Sequence, residues 1–288
     1  VKEKGPLVAS LVAESDAPGC NRLVREVRVT AGLDRVDLIN LLDKKAVREK
    51  EGVHLGFAFN VKDGIMRMDT PFAVVRPEQD QIPGACKNWF TVQRWVDVSN
   101  ADVGVTWATV DAPLVEVGGL TAYLIGGLAG SPLWLEHIEP SQTLYSWAMN
   151  NHWHTNYRAD QDGPTTFRYA LRPHGAFDAA AAQRFGIEQS QPLVAAPAAA
   201  GEPPAAPLRR VEPAGVLVTA FKPSRDGKAW IVRLFNTCDQ PQTAALTWSA
   251  PAPAVIRLKG FEGDTGERVA GPIRMAPYEI VTLRAARP

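Results

Sequence analysis

The stretch from Met149 to Asp162, M-N-N-H-W-H-T-N-Y-R-A-D-Q-D, gathers amides, imidazoles and large aromatic rings in one place. That mixture suits a sugar. Amides and imidazoles make paired hydrogen bonds to vicinal hydroxyls, while an indole or phenol ring stacks on the C–H face of a pyranose. Asn150, Asn151, Trp153, His154, Asn156 and Tyr157 are the side chains that would make such contacts. The same composition also describes a loop ordered by its own hydrogen bonds.

Other arrangements reach less far. His152 and His154 are two apart, so on a strand they share a face and could share a metal. A third ligand is not evident near them, and no metal site is assigned. Asp160-Gln161-Asp162-Gly163 begins like a calcium loop but lacks the bidentate acid that closes one. A sugar epimerase needs a histidine and a glutamate converging in an open cleft, and His54 or His154 with Glu116 could supply them. Paired carboxylates for glycoside hydrolysis are defined by their separation in space, which spacing along the chain does not give. Asp97, Glu116, Glu136 and Glu139 read as strand-edge or loop charges. The glycine-rich run G-G-L-A-G-S-P from Gly126 is not a nucleophile elbow, and no phosphate-binding glycine motif is present. No residue of the chain is assigned a catalytic role.

The elements that must position these residues are strands. From Phe90 to Val98, Phe90, Val92, Val96 and Val98 alternate with Trp89, Gln93, Trp95 and Asp97, as the two faces of one strand. Ser99-Asn100-Ala101-Asp102 is a run of turn formers, after which Val103, Val105 and Trp107 resume the period of two and complete a hairpin. Leu23 to Thr30 and Arg35 to Leu42 make another, with Val27 and Val29 expected toward the core. Further strands are expected at Leu7 to Ala13, His54 to Val61, Met66 to Asp69, Leu114 to Val117, Thr121 to Ile125, Leu144 to Met149 and Thr165 to Leu171. A single helix is expected over Asp178 to Phe185, capped by Asp178 and stopped by Gly186. Residues 1–193 thus read as one large β-sandwich.

Val194 to Pro207, V-A-A-P-A-A-A-G-E-P-P-A-A-P, lacks donors and bulk, and a linker is placed at residues 194–210. Alternation returns in residues 211–288, a second, smaller sandwich. Lys+Arg and Asp+Glu both number 31, so the net charge is zero and nothing favours nucleic acid or an anionic membrane surface. No apolar run reaches the length of a membrane-spanning helix. Three widely spaced cysteines are expected to be reduced and structural. The chain starts at Val1 without a signal sequence, which suggests a piece of something longer and leaves its compartment unassigned.

Several stretches, taken in order, resemble the C-terminal half of glycoside hydrolase family 38, the α-mannosidases. F-T-V-Q-R-W-V-D-V-S-N-A-D-V-G-V (Phe90 to Val105) is similar to that family's Q-R-W-x-D-L-S-x-x-x-Y-G-V segment, with Val103 where tyrosine is common. K-E-G-V-H-L-G-F-A-F-N-V (Lys50 to Val61), F-R-Y-A-L-R-P-H (Phe167 to His174), F-G-I-E-Q-S-Q-P-L (Phe185 to Leu193) and A-P-Y-E-I-V-T-L-R (Ala276 to Arg284) also resemble family segments. The resemblance implies an all-β fold: a large galactose-mutarotase-like supersandwich followed by a small β-sandwich. It implies, too, that the nucleophile and zinc belong to an N-terminal catalytic domain these residues do not include, and that no cofactor is held here. The partners would be that domain and a mannoside-like carbohydrate, whose cleft the loop from Asn150 to Tyr157 helps to line. Asn150-Asn151 stand where the family has an arginine. A stand-alone carbohydrate-binding module or a mutarotase-like epimerase is the alternative.

Overall fold

The computed structural model describes residues 1–122, 134–151, 160–195, 197, 201 and 207–287. It divides into two compact units, Val1–Phe177 with Phe185–Pro192, and Asp178–Arg184 with Leu193–Pro288.

The first unit is a sandwich of unequal sheets. Among the described residues its larger sheet has nine strands in the order β1 (Glu3–Lys4), β2 (Val8–Ser15), β3 (Cys20–Thr30), β4 (Val36–Lys44), β13 (Gly163–His174), β10 (Gly104–Thr109), β9 (Trp95–Ser99), β6 (Ile65–Thr70) and β7 (Ala73–Val75). The smaller has four, in the order β5 (Gly52–Ala58), β12 (Thr143–Asn150), β11 (Leu114–Val117) and β8 (Phe90–Thr91). Neighbouring strands are antiparallel, so each has one face for the core and one for something else. The inner faces meet through Leu42, Met66, Met68, Val96, Val98 and Trp107 from one sheet and Val115, Val117 and Leu144 from the other. Phe57 on β5 sets its edge against Trp107 at 5.3 Å and Tyr169 at 5.0 Å. Each large ring buried here contributes roughly 2–3 kcal/mol.

Three expectations are corrected in this unit. Phe90 to Val98 is not one strand: Phe90–Thr91 pairs with β11, whereas Trp95–Ser99 pairs with β6 and β10 in the other sheet. The segment between them crosses the sandwich, yet Phe90, Val92, Val96 and Val98 all still reach one core. Val27 and Val29 do not face that core and are 43% and 46% exposed. The larger sheet is wider than the sheet facing it, and the midsections of β2 and β3 lie beyond its cover. The helix α1 (Ala179–Ser190) has its Asp178 cap, with Asp178 Oδ1 accepting the Ala181 amide at 3.0 Å, but it does not stop at Gly186. A Cβ there would stand 2.8 Å from Arg94 Cβ and 2.9 Å from Trp95 Cδ1, so this glycine allows close approach rather than ending the helix. Phe185 fills the space beside it against Ala108 and Ala170.

The second unit is a smaller sandwich. Its three-stranded sheet has the order β14 (Leu208–Glu212), β17 (Gln242–Trp248), β20 (Ile273–Met275). Its five-stranded sheet has the order β15 (Val216–Pro223), β16 (Ala229–Asn236), β21 (Ile280–Ala286), β18 (Val255–Leu258), β19 (Gly266–Arg268). Val232, Leu234, Val281 and Leu283 from one sheet pack on Ala244, Ile273 and Met275 from the other. The strands β19 and β20 are each three residues long, too short for alternation to mark them in the sequence. The strand β14 begins at Leu208, within the stretch read as linker, and pairs with β17. All three cysteines are free.

Candidate functional site

Three polar clusters lie in the first unit, each placed by a strand whose other face is in the core.

Asn150 and Asn151 close β12. Asn151 is buried and its amide is fully engaged: Oδ1 accepts the Glu51 amide at 2.6 Å, and Nδ2 donates to Val47 O at 3.0 Å and Glu49 O at 2.8 Å. It orders the loop between β4 and β5. Beneath that loop the buried Lys44 ammonium pairs with Glu51 and donates to Gly19 O at 3.0 Å. Asn150 differs, since its Oδ1 is buried with no hydrogen-bond partner among the described residues. Trp153, His154, Asn156 and Tyr157 lie outside the described residues.

The second cluster is on the outer face of the four-stranded sheet. Leu55 and Phe57 of β5 and Val115 and Val117 of β11 point to the core, so His54 and Glu116 point away from it. They meet across β12, with His54 Nε2 2.8 Å from Glu116 Oε1. Glu116 is fully buried, and its Oε2 accepts the amides of Thr121 at 2.5 Å and Ala122 at 2.9 Å. The imidazole stacks on Trp147 at 5.9 Å with planes 8° apart, and Trp89 sets its edge to Trp147 at 5.7 Å. The structure thus joins His54 to Glu116, a pair that chemistry alone could only suggest.

The third cluster is on the outer face of the nine-stranded sheet, around Asp97. This carboxylate is also fully buried; reading it, like Glu116, as an edge or loop charge is corrected here. Ser99 Oγ donates to Oδ1 at 2.5 Å and Thr106 Oγ1 to Oδ2 at 2.8 Å, while His174 Nε2 lies 2.7 Å from Oδ2. The Arg67 guanidinium stands 4.0 Å from Oδ1 and 4.5 Å above the Phe177 ring. Burial pulls that guanidinium below its ordinary value, and Asp97 opposes the pull. A Cβ on Gly104 would overlap Ser99 Cβ and His174 Cε1, so the glycine is what lets these groups converge. The chemistry is that of an anchor. Ser99 donates to a carboxylate rather than to an imidazole, so nothing activates it as a nucleophile. The signal in the sequence was an acid between Val96 and Val98 in a strand buried on both faces.

Among the described residues no group of three His, Cys, Asp or Glu side chains is arranged to hold a metal ion.

Residues 215–283 match the family model of the glycosyl hydrolases family 38 C-terminal beta sandwich domain. Over these residues the chain is similar to that family domain. The chain as a whole is similar in fold to an α-mannosidase from Enterococcus faecalis V583, with a TM-score of 0.68 and 20% identity. That likeness covers 91% of this chain and 28% of the α-mannosidase. A protein in glycosyl hydrolase family 38 from Enterococcus faecalis gives a TM-score of 0.67 at 19% identity, over 91% of this chain and 29% of that one. The chain spans less than a third of the length of either protein. A putative aldose 1-epimerase from Escherichia coli K12 aligns at a TM-score of 0.35 and 12% identity, over 60% of this chain and 67% of the other. No curated protein sequence matches the chain. The resemblance to the C-terminal β-sandwich region of family 38 therefore holds, as does the all-β architecture of a large sandwich followed by a small one. Asp97, Ser99, Gly104 and His174, which the third cluster ties together, all fall within the family-like segments Phe90 to Val105 and Phe167 to His174.

Proposed function

We propose that this chain is the C-terminal carbohydrate-binding and structural region of an α-mannosidase-like glycoside hydrolase, and that it completes the sugar cleft of an N-terminal catalytic domain. The observation that carries the reading is the extent of the likeness. Similarity to an α-mannosidase covers 91% of the chain, large sandwich included, and the family 38 domain stands at its C-terminal end as in the family's order of parts. The anchors described above support a scaffold role: their acids are held by main-chain amides and hydroxyls, not presented as an acid and nucleophile. On this reading zinc and the nucleophile come from the catalytic domain. A mannoside-like sugar meets the loop from Asn150 to Tyr157.

The chain alone should not hydrolyse an activated aryl α-mannoside, with or without added zinc. In the enzyme that includes the catalytic domain, Trp153→Ala should lower kcat/KM about tenfold to a few hundredfold with unchanged circular dichroism, as when stacking on a sugar is lost. Turnover by the isolated chain that survives repurification, or normal kinetics of the folded variant, would overturn the proposal.

A further inference from the structure

The smaller sandwich has a cleft where its five-stranded sheet parts. β18 pairs with β21 at Val255, Ile256 and Arg257, and the register ends there. Ile280, Val281 and Thr282, at the start of β21, take their register partners from β16 alone. After Leu258 the chain leaves the sheet. Between residues 258–261 and the start of β21 lies a cavity of about 450 Å3. That is room enough for a small-molecule ligand.

The walls combine a flat apolar ring with polar groups that can be reached from solvent. Phe261 lines the cavity and is 67% exposed. The Arg233 guanidinium lies 4.8 Å from the ring centroid and donates to Phe261 O at 3.4 Å. The next residue, Glu262, is tied to Lys222 at 2.7 Å and to Arg225 at 3.2 Å. One face of the ring is thus held by a cation on a pinned loop, and the exposed remainder is a fixed stacking platform.

Arg257 and Glu279 line the same cavity and pair through Nη2 and Oε1, while Glu279 Oε2 accepts the Ala276 amide at 2.7 Å. Both side chains are partly exposed, so the guanidinium keeps donors and the carboxylate keeps lone pairs for a ligand. Lys259 and Glu267 are exposed on the same walls. Two cations and two anions balance, so the cavity selects no net charge. A ligand that suits it is neutral, has one apolar face, and carries hydroxyls that both donate and accept.

We propose that this cleft of the smaller sandwich binds a neutral pyranose, with Phe261 stacked on its C–H face and Arg257 and Glu279 hydrogen-bonded to adjacent hydroxyls. The proposal rests on the functional reading above for the choice of a mannoside. It adds to the cleft described there a sugar site built wholly from the smaller sandwich.

The test uses the full chain, labelled with 15N and titrated with methyl α-D-mannoside, methyl α-D-glucoside and methyl α-D-galactoside. Saturable movement of the Gly260, Phe261 and Thr282 amides with at least one of them is the expected result. Phe261 is outside the core cluster, so Phe261→Ala should fold, and it should weaken binding about tenfold, as when stacking on a sugar is lost. Phe261→Tyr keeps the ring and should bind as the wild type does. Three results would overturn the site: no response of these amides to any of the three glycosides at about 0.1 M, roughly a hundredfold above a millimolar Kd; a response confined to other residues; or equal binding by folded Phe261→Ala. The wild-type spectra decide the matter even if a variant fails to fold. The kinetic test of Trp153→Ala does not depend on Phe261, so the site and the functional reading can fall separately.

Discussion

Tyr169 shows what burial does to a single group in this sandwich. Its ring is sealed between Phe57 and Trp107, and its hydroxyl shares a 2.9 Å hydrogen bond with Ser146 Oγ on the facing sheet. Burial pushes the phenol up to about 12 from an ordinary value of 10.0, against a smaller opposing effect of the Ser146 bond. Above pH 10 the unfolded chain releases this proton first. The stabilisation is therefore complete below pH 10 and is lost as pH rises toward 12, by roughly 2–3 kcal/mol. Urea denaturation across this range should show the decline, and Tyr169→Phe should flatten it; an unchanged slope in the variant would assign the loss elsewhere. Asp97 and Glu116 are buried carboxylates, each held by donors brought from other strands or loops.

At the scale of elements, loops matter as much as strands. Asn151 makes three hydrogen bonds to the main chain of residues 47–51, and the buried Lys44 pairs with the partly exposed Glu51 of the same loop. Asn151→Ala leaves two carbonyls and an amide without that partner, which should cost about 2–3 kcal/mol of stability. Hydrogen exchange should accelerate at the Glu51 amide while the amides of β9 and β10 keep their protection. Uniform acceleration would mean that the loop and the sheets open together. The sequence displayed Asn151 as one polar residue among several. It gave no sign that this amide holds a loop a hundred positions earlier, because side-chain pairing across sheets has no local signature.

For the whole molecule, the division into two sandwiches leads to a test in solution. The stretch from Val194 to Pro207 separates strands that pair within different sheets, and its prolines and alanines offer little to bury. Limited proteolysis should cut there first and leave two resistant fragments. Early cleavage between residues 88 and 109, which runs through both sheets of the larger sandwich, would contradict the division.

What the sequence determined by itself was the kind of element and its faces. Alternation at period two depends only on neighbouring residues, so Leu55 and Phe57, Val96 and Val98, or Val232 and Leu234 identify core faces without knowledge of their partners. The ordered run of family-like segments identified the region as well. Only the tertiary structure decided which sheet each strand joins, as where residues 90–98 divide between two sheets. It also decided that Val27 and Val29 lie beyond the facing sheet, and that Gly186 seats a helix rather than ending it. The same holds for the polar centres. His54 and Glu116 are 62 positions apart, and Asp97 and His174 are 77 apart. Their meeting follows from strand order and register, which are set by the packing of whole sheets and by no short stretch of chain.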